Sequence, residues 1–204
     1  MGSSLTLEQI VRHPECATTE VECGGETLTA RPLGPDDAEM LSMYFAGLSE
    51  QTRGWFAPHK FTHEVAKELC AALLSQSTLR LVAVTSSDEP AIVAYFILQF
   101  GLREPEHARF SAHGMPLDDA VACSLAPSVA DAYQNVGLGS ALLRHTIDIA
   151  PRAARTRMIL FGGVGMVNPR AVHFYKKAGF RKAPPDAPED RKFDMVLNLD
   201  SVED

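Results

Sequence analysis

The sequence predicts an α/β (α+β) domain, a mixed central sheet flanked by helices, on three observations. In the first half, strand-like runs are joined by polar turns, as in an antiparallel meander. In the second half strand, helix, strand, helix, strand alternate, an order that implies a parallel patch. No Pro-, Gly- or Ser-rich linker divides the 204 residues, a length that suits one domain.

Taken in order, residues 5–23 carry weak patterning, read as one short helix and then a strand. Gly24-Gly25 stands between Val21-Glu22-Cys23 and Thr27-Leu28-Thr29-Ala30, a hairpin signal. Gly34-Pro35-Asp36-Asp37 is expected to open a helix, with proline in its first turn and acids at the positive end of its dipole. Met40, Leu41, Tyr44, Phe45 and Leu48 then recur at helical spacing. Residues 54–58 break that pattern, and a second helix follows Thr62 with Val65, Leu69, Ala72 and Leu73 on one face. Residues 79–84 and 91–100 read as strands joined by a polar turn. The prolines and glycines of 101–118 predict a long surface loop, a length uncommon without a purpose. A strand at 120–129 contains Pro127, and 137–150 is an amphipathic helix with Leu138, Ala141, Leu142 and Ile149 inward. After a strand at 158–161 comes a helix at 168–178 with both ends marked. Asn168 can cap it, Pro169 suits its first position and Gly179 can end it. A last strand covers 192–198.

Composition narrows the partners. A formal net charge of −7 sets the whole-chain field against nucleic acid and anionic membranes. The longest apolar run, 91–98, is far below the roughly 20 residues that span a bilayer. The N-terminal stretch lacks the basic lead of a signal peptide. Cys16, Cys23, Cys70 and Cys123 form no CxxC pair, which fits reduced thiols in the cytoplasm. The expectation is a cytoplasmic monomer or homodimer without nucleic-acid or membrane partners.

The chemistry concentrates in Gln134-Asn135-Val136-Gly137-Leu138-Gly139-Ser140, between a strand and a helix. A helix start leaves N–H groups unpaired at a partial positive charge, and glycines let a phosphate approach them. The Walker pattern fails because no Gly-Lys-Ser/Thr follows. The dinucleotide fingerprint fails because Leu142 stands where its third glycine belongs. The glycines alone fit a tight turn with no ligand equally well.

Gln134-x-x-Gly137-x-Gly139 is followed by Asn168, Ala171, Tyr175, Gly179 and Phe180, which fill the pattern N-x-x-A-x-x-x-Y-x-x-x-G-F. The pair resembles the GNAT superfamily of N-acetyltransferases, over residues 27–198. The resemblance implies a GNAT-like acyl-CoA acyltransferase fold with splayed strands around the CoA site. It implies one domain at 27–200, preceded by an extension, 1–26, that adds an edge strand. Acetyl-CoA is then the cosubstrate, with no metal, and a primary amine of a small molecule or peptide is the acceptor. Gln134, Asn135, Val136, Gly137, Leu138, Gly139 and Ser140 would hold the pyrophosphate, with Val136 where the family often has Arg or Lys. Asn168, Ala171, Phe174, Tyr175 and Lys177 would also contact the cofactor. In this reading the amine attacks directly and Tyr175 is the general acid that protonates the leaving sulfur. A tyrosine simply packed under the sheet is the competing reading.

Two further roles are less defined. Pro127 cannot donate to a ladder, so the strand must bulge or expose an edge there, or end early. In the first case the resemblance, with its splayed strands, implies that N–H groups near Ser128 and Val129 face the pantetheine arm and the thioester oxygen. Many relatives carry a glutamate five residues before Val129, where this chain has Ser124. A serine can order a water but not take a proton from an ammonium group. His113, Asp118 and Asp119 are candidate bases, and nothing in their spacing selects one. The missing glutamate leaves an alternative, a non-catalytic acetyl-CoA-binding sensor or interaction module. Trp55, Phe56 and Phe61 either line an acceptor pocket or seat a helix connection. His59 and His63 straddle a helix start and are not read as metal ligands. Cys123 reads as a packed thiol, and Arg152, Arg155 and Arg157 as a small basic surface.

Overall fold

Nine strands form one sheet among the residues that the computed structural model describes, 4–165, 168–183 and 192–199. Residues 1–3 and residue 200, the expected domain end, lie outside them. Strands β1 (Thr19–Cys23), β2 (Glu26–Pro32), β3 (Thr78–Thr85), β4 (Ile92–Phe100) and β5 (Ala122–Val129) run as antiparallel neighbours. Strand β6 (Arg157–Leu160) joins β5 in parallel and then pairs antiparallel with β9 (Lys192–Asn198). The short β7 (Val164–Gly165) and β8 (Arg181–Ala183) also pair with β9. The meander is present, but the parallel patch is confined to β5–β6, because β9 pairs antiparallel with β6.

Alternation along the strands divides the core into two layers. Leu79, Leu81, Phe96, Leu98 and Leu125 face α6 (Leu138–Arg152), whose Leu138, Leu142, Leu143 and Ile147 cover them. Tyr175 of α7 (Pro169–Lys177) and the adjoining Phe180 complete that layer. On the other face Val82, Val84, Tyr95, Ile97 and Ala126 meet α2 (Ala38–Gly47) and α4 (His63–Ala71). Both faces of β4 are therefore covered, which explains its continuous apolar run. The helix α1 (Leu7–Arg12) leads into the β1–β2 hairpin, with Gly24 and Gly25 at φ 61° and 86°.

Four readings need correction. Residues 101–118 are not a loop: α5 (Glu104–Ala112) lies within them. Pro105 falls in the first turn, where its missing N–H costs nothing, and Glu106 accepts the Arg103 N–H at 2.8 Å. Gly101 and Gly114, at φ 84° and 70°, bracket the helix rather than unravel it. Residues 54–58 overlap α3 (Glu50–Trp55), which Ser49 caps by accepting the Thr52 N–H. The helix after Gly34 begins only at Ala38, because Asp37 turns back to accept the Gly34 N–H at 2.7 Å and pairs with Arg31. In α4, Ala66 and Cys70 form the buried stripe, and Ala72 is exposed.

Candidate active site

The parallel pair β5–β6 opens partway along its length. Its register runs from Ala122↔Arg157 to Leu125↔Leu160, and the last tie is the Phe161 N–H on the Leu125 carbonyl at 2.9 Å. Gly162 and Gly163, at φ 69° and 76°, then turn the chain away. Strand β5 continues to Val129, partnered among the described residues by β4 alone, and Pro127 does not end it. Main-chain polar groups alternate sides along a strand. The Leu125 carbonyl points to β6, whereas the Ala130 N–H donates to Val93 of β4 at 2.9 Å. Pro127 and Val129 therefore address the gap, and Ser128 addresses β4. The Ser128 side chain lies on the α2 face, where it accepts a hydrogen bond from Tyr44 at 2.8 Å. Of the two residues expected at the thioester, only Val129 presents its N–H to the gap.

The loop beyond β5 leads directly into α6. Asn135 and Gly137 adopt left-handed φ values of 66° and 98°, and Gly137 is the helix cap. Ser140 and Ala141 donate back to the Gly137 carbonyl at 3.1 Å. Among the described residues the N–H groups of Asn135, Val136, Gly137 and Gly139 have no backbone acceptor. They gather at the positive end of a 15-residue helix, a favourable place for a diphosphate. A Cβ on Gly139 would stand 3.6 Å from Val129 and 3.7 Å from Phe174, ordinary van der Waals distances, where β5, α6 and α7 converge. Below the loop, the Cys23 thiol donates to the Val136 carbonyl at 3.5 Å.

Side chains lock this loop from both flanks. Gln134 donates to the Val129 carbonyl at 3.1 Å and to Thr52 at 3.3 Å, and its own carbonyl accepts from Arg170. Gln134 thus fixes the loop, its amide turned inward. Asp131 accepts from the Ser49 N–H at 3.0 Å and from the Ser49 and Thr52 hydroxyls at 2.8 Å. Burial works to raise the Asp131 carboxyl, but these donors outweigh it and hold the group below its usual range. Arg170, absent from the sequence-based site, stands four residues before Phe174 and so on the same helix face. That spacing was the available signal.

Helix α7 contributes the remaining predicted residues. Asn168 caps it, accepting the Ala171 N–H at 3.0 Å. Phe174 lies against Gly139, while Lys177 is exposed in the last turn. Tyr175 is 9% exposed, with Phe174 and Phe180 at ring separations of 5.1 and 5.5 Å. Burial pushes its phenol well above the ordinary tyrosine value, so the hydroxyl keeps its proton at neutral pH. The packing of Tyr175 against Phe174 and Phe180 is that of the competing reading, a tyrosine seated under the sheet.

Across the sheet, on the α2 face, the gap has a different lining. Ser124 is 1% exposed and, among the described residues, its hydroxyl has no hydrogen-bond partner. Its in-register neighbour Ile159 packs against Phe110 of α5, and the Arg103 guanidinium lies 4.1 Å over the Phe161 ring. Glu106 sits between them on the same helix face and is 3% exposed. Phe45, Phe56, His59, Phe61 and Tyr95 interlock nearby, with His59 Nε2 3.3 Å from the Tyr95 hydroxyl. Trp55 is half exposed and outside this set. Asp118 and Asp119 precede β5 and hold their own loop through the Ala120 and Leu102 N–H groups, and His113 is exposed at the end of α5. Arg152, Arg155 and Arg157 lie near the far end of α6, about 20 Å from its N-terminus.

Residues 112–180 match the acetyltransferase (GNAT) family model. A curated acetyltransferase of Pseudomonas aeruginosa is 33% identical over 128 residues, a match that takes in 63% of this chain and 62% of the relative. The GNAT domain of S. lividans PAT superposes with a TM-score of 0.71 at 21% identity, covering 91% of this chain and 99% of that domain. An aminoglycoside acetyltransferase solved with coenzyme A and kanamycin superposes with a TM-score of 0.58 at 21% identity, covering 84% of this chain and 94% of that one.

Proposed function

The chain carries an acetyltransferase (GNAT) family segment at residues 112–180 on a GNAT fold, and on that premise we propose that it transfers an acetyl group from acetyl-CoA to a primary amine. The observation that carries this reading is the set of four N–H groups, three in the loop and one at Gly139 in the first turn of α6, without backbone acceptors among the described residues and beside the opened end of β5 and β6. Asn135, Val136, Gly137 and Gly139 hold the diphosphate, and the pantetheine arm enters the gap where Val129 offers its N–H.

The amine approaches from the α5 side. Its lone pair attacks the thioester carbonyl, the tetrahedral oxyanion collapses and the C–S bond breaks. Tyr175 gives its proton to the leaving thiolate. The proton lost by the ammonium group goes to Glu106, directly or through a water ordered by Ser124. A carboxylate on α5 would thus do the work of the absent strand glutamate.

A second reading is favoured by Ser124 itself, since a serine at the usual base position suits an acetyl-CoA binder without turnover. Calorimetry with CoA and a thiol-release assay over a panel of amines separate the two. Transfer predicts turnover that Tyr175→Phe lowers about 100-fold while CoA affinity holds. Heat of binding without thiol release on any amine selects the binder, and no heat at all rejects both.

A further inference from the structure

Arg80, on β3, is a buried cation with no anionic partner among the described residues; the side chain it interacts with is the neutral Tyr95 hydroxyl. It is 7% exposed, and among the described residues its Nε and Nη1 have no hydrogen-bond partner. Other arginines with an unmatched nitrogen use another on a carbonyl or carboxylate: Arg53 on Phe45 and Ala46, Arg109 on Asp194, Arg155 on Ala120. The buried acids nearby are already engaged. Asp37 holds Arg31 at 2.6 Å and the Gly34 N–H at 2.7 Å, and Glu106 holds the Arg103 N–H at 2.8 Å. A guanidinium buried without compensation is costly, and a ligand oxyanion is the natural remedy.

The surroundings suit such a ligand. Arg80 pairs with Ile97 and Val82 with Tyr95, so Arg80 and Tyr95 are diagonal neighbours on one face. The Tyr95 hydroxyl meets His59 at 3.3 Å, and His59 is the part-exposed member of this set. Phe45, Phe56 and Phe61 pack their rings against His59 and Tyr95. Ile97 in turn pairs with Ala126, the first β5 residue past the last β5–β6 pair. Arg80 is therefore level with the gap and two strand spacings from it, about 10 Å, a distance its own side chain shortens.

We propose that the acceptor is an amine that also carries a carboxylate, and that Arg80 binds that carboxylate beside Tyr95 and His59 while the amine lies at the β5–β6 gap. This rests on the acetyltransferase reading. The planar guanidinium fork matches a planar carboxylate in two hydrogen bonds.

Turnover of 5-aminopentanoate against 5-aminopentanamide tests the pairing. The wild type should favour the carboxylate in kcat/KM by about tenfold or more, and Arg80→Met should bring the ratio close to one. Arg80→Lys, which keeps the charge but not the fork, should fall between. A wild-type ratio near one, or a preference that survives Arg80→Met, overturns the proposal. A second measurement is independent of catalysis. Glutarate should raise the melting temperature of the wild type saturably and leave Arg80→Met unmoved. No shift, an equal shift in the variant, or a shift with inorganic phosphate alone overturns it. Absence of thiol release with every amine would sink the transferase reading, and the melts would still decide on Arg80.

Discussion

Gly137 and Gly139 are separated by one residue and answer to different constraints. At Gly137 an added Cβ meets nothing within 4 Å, but φ is 98°, a conformation that L side chains resist. Gly137→Ala therefore carries a backbone penalty of about 1–2 kcal/mol, and relief of that strain would turn the loop N–H groups out of line. We expect the melting temperature to drop by about 2–8 °C and CoA affinity to weaken about tenfold. Gly139 lies in ordinary helical backbone, and its added methyl would make only van der Waals contact with Val129 and Phe174. Gly139→Ala should fold with a melting temperature close to that of the wild type. Thermal melts and calorimetry on the two variants check this, and equal behaviour would contradict it.

At the level of elements, α5 decides what the acceptor face can do. It brings Arg103 over Phe161 and Phe110 onto Ile159, with Glu106 buried on the same helix face. Glu106→Gln keeps an oxygen for the Arg103 N–H, so the helix start should survive. Loss of the proton acceptor should lower kcat about 100-fold with little change in KM for acetyl-CoA. A variant with wild-type kcat would remove Glu106 from the mechanism. This helix was hidden in the sequence because Pro105, Gly101 and Gly114 look like loop formers when only local rules are applied. Their roles depend on where the helix starts and stops, which Phe110 settles by packing on β6. Helix α7 was legible for the opposite reason, since its cap, its first-turn proline and its terminal glycine act within a few residues. The facing of Ser128 and Val129 was not legible either. It follows from strand parity fixed by two distant bonds, Phe161 to Leu125 and Ala130 to Val93.

For the whole molecule, two groups link stability to acid in separate windows. Burial lowers the His59 imidazole below its ordinary value, the Lys60 carbonyl opposes that shift, and the cations Arg80 and Arg103 reinforce it. The unfolded chain then binds a proton on this histidine more readily than the folded one. Its contribution to stability is fully present above the unfolded pKa, about 6.5, and is lost as the pH falls through the lower folded value. Asp131 is also held below its ordinary value, so its contribution fades only when the pH falls below the usual carboxylate range. Stability should therefore decline in two steps on acidification. His59→Gln keeps a polar side chain beside Tyr95 yet cannot take up the proton, so it should flatten the step that begins as the pH falls below about 6.5 and leave the more acidic step intact. Asp131→Asn should do the reverse, because the donors from Ser49 and Thr52 would no longer favour an ionised group. Melting temperatures across the pH range on the three proteins decide the matter. A first step that persists unchanged in His59→Gln would mean that another group titrates there and that the basic cluster around Arg80 exerts no pull on this histidine.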